Sequence, residues 1–442
     1  MSQDSVKVRI DHLRTGTCLS HSIFDANGTL LLAADTELTE PIKKCLMDRG
    51  IGTVVLHPQD AAMMFASPTS AKPTEGRSVP VPTTARPNIS EINAQLASLT
   101  NRVSFTVANL GPPLKNRQRR AGSEPYDPRQ RDRLVKQFAT TKKLMDTMIR
   151  HAIAGLSQDT RAVRAVAHGA TAELVQDADQ TISTSTEVPR NPQITERAVR
   201  ISVLAMAIAM DMGWDEPTVR EVGECGLIHD WGLFRLGEDI YAQRRGLSDE
   251  DREQMRQHPL FTFEMLGKIQ DLSDGVRIAA AQVHEKLDGS GYPHGLTDSQ
   301  IHPYAKILHV ADAYVSLTED TWGRAAYIAY DAMVYLLNQV RSRTLSIEVV
   351  RALLNVVALF PIGSHVQLSD GSEARVIRRG RGGYTEPIVQ RVGSDRTLRH
   401  DGGHRSIVDL SESDLTVAAP LPHPLRQEQR IADTTTTSLL WE

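Results

Sequence analysis

HEKLDGSGYPHGL, residues 284–296, sets a histidine and a glutamate at the end of an apolar run. It follows them at once with a loop of Asp288, Gly289, Ser290, Gly291, Tyr292 and Pro293. The run itself, VRIAAAQVH from Val276 to His284, places Val276, Ile278, Ala279, Ala280 and Val283 on one broad apolar face, which predicts a helix. Two glycines and a proline within six residues then stop it: backbone freedom followed by a fixed φ suits a tight turn close to something bulky or charged. By itself such a turn is an ordinary helix terminus. The rest of the chain decides between terminus and site.

Working outward, residues 191–360 carry an almost wholly α-helical pattern, with stripes such as ISVLAMAIAM, VGECGLI and AKILHVADAYVSL. Ahead of them, 133–190 reads as connecting helices. There Leu134, Phe138, Thr141, Met145, Met148 and Ala152 recur at spacings of four and three, the seam of a homodimer through 134–152 or a face that packs on the next domain. Residues 63–132 read as a solvated linker that shifts to Pro, Ser and Thr and then to a basic run from Lys115 to Arg133, in which Tyr126 is the one aromatic. At 1–62 an alternation of Val6, Val8 and Ile10, an Asn27-Gly28 turn and a short helix over Pro41–Arg49 predict a small α+β unit. After the helices, HVQLSDGSEARVIRR predicts two strands joined at Asp370-Gly371, with PIVQRV as a third, so 361–415 forms a small β appendage and 416–442 a loose tail. The expected fold is mainly α: a helical bundle core with an N-terminal α+β unit and a C-terminal β appendage.

Bulk composition bounds the function. The chain has 442 residues, 40% hydrophobic, and fifty basic against fifty-four acidic side chains leave a net charge of −4. No global field therefore recruits DNA, RNA or a membrane surface. Cys18, Cys45 and Cys225 lie far apart with no CxxC pair, which fits a reducing cytoplasm and gives no cysteine metal site. The start MSQDSVKVRI lacks the basic and apolar regions of a secretion signal, and no apolar run is long enough to span a bilayer.

Within the helical region, polar residues interrupt apolar stripes where a core would reject them. His229 and Asp230 end VGECGLI, and Asp312 sits inside ILHVADAYVSL. An unpaired buried carboxylate or imidazole costs several kcal/mol, so each needs a partner, and a divalent cation accepts both kinds of ligand at once. His258, in QHPLF, and His284 are further candidates.

These same residues carry a resemblance. HD at 229–230, HP at 258–259, HEKLDGSGYP at 284–293 and VADAY at 310–314 are similar, in order and spacing, to the HD-GYP family over about Pro192 to Pro361. The resemblance implies an HD-type bundle. It also implies a cytoplasmic bacterial phosphodiesterase of second-messenger signalling that hydrolyses cyclic di-GMP at a centre of divalent ions, iron or manganese. Metal ligation falls to His229, Asp230, His258, His284 and Asp312, with Asp230, His258 and Asp312 at the chemistry. Gly291, Tyr292 and Pro293 would line the dinucleotide, and Arg324 would contact phosphate.

The chain also departs from that pattern. Arg197 stands where a histidine ligand is expected, with Gln193 four residues before it in place of an acid; Val283 replaces the first of a histidine pair; Leu233 replaces a lysine; Val315 and Thr321 replace an aspartate and an arginine. These changes imply at most two ions. A guanidinium at Arg197 that paired with Asp230 and Asp312 would itself fill the place of a cation. The alternative to a working phosphodiesterase is therefore a silent relative that binds a nucleotide or a protein partner.

Overall fold

The computed structural model describes residues 88–431 apart from 108, 120–126, 157, 187–192, 237–247, 321–323, 381–382, 393–406 and 425–427. Before residue 88 it describes short segments between 6 and 57. The chain divides into two compact units, Met1–Thr83 and Thr84–Glu442. The Asn27-Gly28 turn, Tyr126 and Thr321 lie outside the described residues, as does most of Pro41–Arg49.

In the first unit, β1 (Val6–Arg9), β2 (Thr17–Cys18), β3 (Ile23–Asp25), β4 (Leu30–Leu32), β5 (Glu37–Leu38) and β6 (Thr53–Leu56) form a four-stranded sheet of order β1-β6-β3-β4 and a separate β2-β5 pair. The alternation seen in the sequence sends Val8, Val54 and Leu56 inward with Ile10, Ile23 and Leu46.

The second unit opens with a helix inside the stretch expected as linker. α1 (Ile89–Thr100) is N-capped by Asn88, which accepts from the Glu91 amide, and it lays Ile92, Leu96 and Leu99 against Leu260, Phe263, Ile278 and Ala281. That apolar spacing of four and three outweighs the polar composition around it. The long α2 (Pro128–Ile153) follows, with proline in its first turn and Asp127 as cap. Its stripe of Leu134, Thr141, Met145, Met148 and Ala152 is buried within this chain, so the face packs on its own domain. β7 (Gln158–Asp159) leads into α3 (Arg161–Thr186), which is broken at Asp177 by non-helical backbone.

The centre of the bundle is α4 (Ile194–Asp211), buried along nearly its whole length and packed on α5 (Glu216–Ile228). A 3-10 turn over Trp231–Arg235 then leads to α6 (Asp249–Met255) and α7 (His258–Leu266). Next come β8 (Ile269–Gln270), paired in parallel with β7, and α8 (Asp274–Ala281). α9 (Pro303–Thr318), α10 (Ala329–Arg341) and α11 (Ile347–Val357) complete the helices.

The β appendage is larger than the sequence suggests. β9 (His365–Leu368), β10 (Glu373–Arg378), β11 (Ile388–Arg391), β12 (Ile407–Asp409) and β13 (Val417–Leu421) make an antiparallel sheet of order β12-β11-β10-β9-β13. β13 lies in the stretch expected as a loose tail; it pairs with β9, and Val417 packs against the sheet's apolar cluster. Ion pairs Arg378–Asp177, at 2.8 Å, and Arg379–Asp179 fasten this sheet to the broken segment of α3.

Candidate metal centre

Four helix ends and one helix interior deliver the candidate residues. His229 is the C-cap of α5, its amide bonded to the Cys225 carbonyl, and Asp230 comes next as the chain turns into the 3-10 segment. Gly232 makes that turn fit. A Cβ there would lie 2.0 Å from the His258 carbonyl oxygen, so only glycine lets the turn press on the start of α7 and bring His258 to Asp230. The Gly232 amide donates to Thr262 Oγ1 at 2.8 Å and holds the contact. His284 arrives just beyond α8, and Asp312 from the middle of α9.

These residues meet around a cavity of about 20 Å³, lined by Arg197, Asp230, Leu233, Met255, His258, His284, Tyr292 and Asp312. His258 Nε2 lies 3.3 Å from Asp230 Oδ1 and 3.0 Å from His284 Nε2. One ligand atom from each of Asp230, His258 and His284 falls within 4.8 Å of the others, the spread of a metal-binding triad. His229 flanks Asp230, its Nε2 3.2 Å from Oδ2. His284 Nδ1 is 4.0 Å from Asp312 Oδ2. Four of the five expected ligands thus share one cluster with Asp230 at its centre, and Asp312 stands at its edge.

The tautomers suit a cation. Nδ1–H of His229 donates to the Gly226 carbonyl at 2.8 Å, and Nδ1–H of His258 to the Met255 carbonyl at 2.7 Å. Nε2 of each ring is thereby turned to the cluster, the arrangement backbone carbonyls impose on metal-bound imidazoles. His229 Nε2 and Asp230 Oδ1 are buried with no hydrogen-bond partner among the described residues. A lone pair held against a carboxylate oxygen calls for a positive charge between them. Titration agrees. Burial alone would raise the Asp230 carboxyl, yet the His229 and His258 imidazoles hold it well below the usual carboxylate range. Burial likewise opposes charge on His229, but Asp230 prevails and raises its pKa. For His284, burial and then His258 push the pKa well down, which keeps that imidazole neutral. The residues present fit a divalent ion.

The glycine-rich loop closes over the cluster. A Cβ on Gly291 would come within 2.3 Å of the Lys286 nitrogen and 2.5 Å of Glu285 Cα, so the loop folds directly back on the residues that carry His284. The Tyr292 amide donates to the His284 carbonyl at 3.1 Å, and its ring stacks on the His284 imidazole at 4.8 Å and 17°. Pro293 follows in a cis peptide. Glu285, buried, accepts the amides of His294 and Leu296, each at 2.8 Å, and so pins the far side of the loop.

Asp312 has a strong partner of its own. The Arg197 guanidinium, 6% exposed, donates to Asp312 Oδ1, Ser316 Oγ and Glu319 Oε1; Arg200 reaches the other Glu319 oxygen at 2.5 Å. Glu319, Ser316 and Arg200 were not anticipated from the sequence, although Ser316 and Glu319 follow Asp312 by four and seven residues and Arg200 follows Arg197 by three, spacings that place each set on one helical face. Another unforeseen neighbour is His309, one turn before Asp312. Its Nδ1–H donates to the Val283 carbonyl at 2.8 Å, and its Nε2 is buried without a hydrogen-bond partner among the described residues. Val283 and Val315 are plain core residues, and Leu233 lines the cavity. Arg324 lies at the end of α9: its guanidinium donates to the Ser316, Leu317 and Ala325 carbonyls and covers the Tyr327 ring at 4.5 Å.

Comparison with known proteins converges on this region. Residues 188–345 match the family described as HD domain. A cyclic di-GMP phosphodiesterase of Pseudomonas aeruginosa is 28% identical over 200 residues, 45% of this chain and 48% of that protein. A cyclic di-GMP phosphodiesterase response regulator of Xanthomonas campestris is 31% identical over 157 residues, 35% of this chain and 41% of that protein. A 3'3'-cGAMP-specific phosphodiesterase of Vibrio cholerae is 24% identical over 184 residues, 42% and 39% of the two chains. The chain thus spans less than half the length of each of these curated relatives.

Proposed function

We propose that this chain is a metal-dependent phosphodiesterase of the HD-GYP type that hydrolyses a cyclic dinucleotide, cyclic di-GMP before the mixed guanine–adenine form, a reading supported by the HD-domain match over residues 188–345 and by the cyclic dinucleotide phosphodiesterases it is similar to. The observation that carries the proposal is the buried cluster of Asp230, His258 and His284, one ligand atom of each within 4.8 Å of the others, with His229 beside it. A divalent ion, iron or manganese, held by Asp230, His258 and His284 with His229 beside them would lower the pKa of a bound water and polarise a phosphoryl oxygen. The chain's own residues do the rest. The Gly226 and Met255 carbonyls fix which nitrogen of His229 and His258 faces the centre. Tyr292, stacked on His284, walls the cavity from solvent and offers a flat edge to a base. The bare backbone of Gly291, tight against Glu285 and Lys286, lets the loop fold back so that Tyr292 reaches His284.

No helix among the described residues is long and apolar enough to cross a membrane. A cytoplasmic setting, where the buried Cys225 thiol stays reduced, goes with the proposal. A homodimer through 134–152 would have to use the outer face of α2, where Val135 is exposed.

The silent alternative has one observation in its favour, the bond of Arg197 to Asp312, which engages an expected ligand. Hydrolysis decides. The full chain loaded with manganese or with iron under anaerobic conditions is expected to convert cyclic di-GMP to a linear product, and chelation is expected to abolish this. A chain that binds the ion and the dinucleotide yet releases no linear product would establish the silent reading instead.

A further inference from the structure

We infer that the Arg197 guanidinium occupies the position of a second cation, so that the centre is built for one divalent ion beside one fixed organic charge. The inference rests on the proposed metal reading and deepens it. Three observations carry it. First, space: Arg197 is itself part of the cavity wall, beside Asp230, His258, His284 and Asp312, so its guanidinium takes up room next to the cluster. Second, charge: Asp312 and Glu319, both buried, face Arg197 and Arg200, two carboxylates against two guanidiniums. Asp230 is then the carboxylate left beside the His229 and His258 imidazoles for an incoming ion. Third, commitment of ligand atoms: Asp312 gives Oδ1 to Arg197, while its Oδ2 lies 4.0 Å from His284 Nδ1, so the carboxylate spans the arginine and the histidine cluster as a bridging ligand spans two ions.

A guanidinium in this place behaves unlike a metal. Its charge does not depend on metal supply, and its planar fork takes Asp312, Ser316 and Glu319 at once. It has no lone pair and no exchangeable water, so it supplies electrostatic positioning without a second source of nucleophile. Arg197 is accordingly a positioning residue, acting on the centre through Asp312. The arrangement also explains how the chain tolerates Val283: with the second ion replaced, the missing histidine has nothing to bind.

Metal content and spin coupling test this without recourse to activity. The full chain, stripped of metal and then loaded with manganese(II), is expected to retain one ion per chain with the spectrum of an isolated manganese in electron paramagnetic resonance. Arg197→His exchanges the fixed charge for a lone pair and frees Asp312, while Glu319 stays with Arg200; a second ion and a spin-coupled spectrum are expected. A wild type that holds two coupled ions overturns the inference while leaving the phosphodiesterase proposal standing. A wild type that holds none overturns the metal reading and the inference together. A folded Arg197→His chain that still holds a single ion also overturns it, because the arginine would then not be what excludes the second. The wild-type measurement decides even if the variant fails to fold.

Discussion

Gly232→Ala adds one methyl group at the point where the centre is assembled. The new Cβ would sit 2.0 Å from the His258 carbonyl oxygen, 2.7 Å from the Thr262 nitrogen and 2.8 Å from Thr262 Oγ1. A carbon and an oxygen approach to about 3.3 Å at closest, so the turn and α7 must separate by roughly 1.3 Å. Neither atom group can yield cheaply, since the first is main chain and the second belongs to the bond from the Gly232 amide to Thr262. Overpacking of this kind costs about 2 kcal/mol, and losing the hydrogen bond adds about 1 kcal/mol, for a total near 3 kcal/mol. With an unfolding entropy of roughly 2 cal/mol/K per residue, a cooperative unit of about 360 residues loses about 4 °C in melting temperature. The same shift carries His258 away from Asp230, and a ligand displaced through its support weakens metal binding about 10- to 100-fold. Differential scanning calorimetry and manganese titration of the variant measure the two effects. Gly169→Ala serves as the control: the only heavy atom its Cβ meets is the end of the Gln137 side chain, 3.0 Å away, and alanine inside α3 is expected to stabilise by about 0.5–1 kcal/mol. If Gly232→Ala melts within a degree of wild type and binds manganese equally well, the close-contact account of how Asp230 and His258 meet is wrong.

Three further outcomes are expected. Glu285→Ala removes the acceptor for the His294 and Leu296 amides and should cost about 2–3 kcal/mol, with faster hydrogen exchange confined to residues 294–296; unchanged exchange there would dismiss the pinning role. Burial raises Glu224 from 4.5 to about 7 against the nearby Arg164, so the folded chain holds a proton that the unfolded chain releases. Its stabilising effect is complete below pH 4.5 and lost as pH rises through 7. Stability should fall by on the order of 1–2 kcal/mol across that window, discounted for solvent screening, and Glu224→Gln should flatten the fall; parallel pH profiles for the two proteins would contradict this. Leu96→Ala empties part of the contact between α1 and Phe263 and should cost about 2–3 kcal/mol, read as faster proteolysis within 89–100 at equal global stability of the bundle.

How much of this could be seen in the sequence differs from residue to residue. His229, Asp230, His258 and His284 announce themselves because each breaks an apolar stripe, and burial makes such a break expensive unless a partner waits. The turn after α8 was likewise visible, since Gly289, Gly291 and Pro293 restrict the chain to few paths. Arg197 was marked as a departure, and pairing with Asp312 was foreseen, but Glu319 was not, because an acid at a helix end ordinarily faces water. Only the approach of α4 to α9 shows that Arg197 and Arg200 point at it. The helix over Ile89–Thr100 was hidden by composition: a Pro- and Ser-rich neighbourhood masked an apolar spacing of four and three that needs α7 and α8 as its floor. β13 was hidden for a related reason, since an edge strand is defined by the partner it pairs with and β9 lies about fifty residues earlier.

The polar face of α9 has a consequence for what insertions and deletions the chain can survive. His309, Asp312 and Ser316 lie along one line of the helix, with Glu319 at its end completing the row. One residue gained or lost rotates everything beyond it by about 100°. A single insertion between Asp312 and Ser316 would therefore leave Asp312 in place while turning Ser316 and Glu319 out of reach of Arg197, and two buried arginines would be stranded with half their counter-charge. Length changes in this domain should therefore spare α9, which keeps its residue count even where its apolar side chains are exchanged.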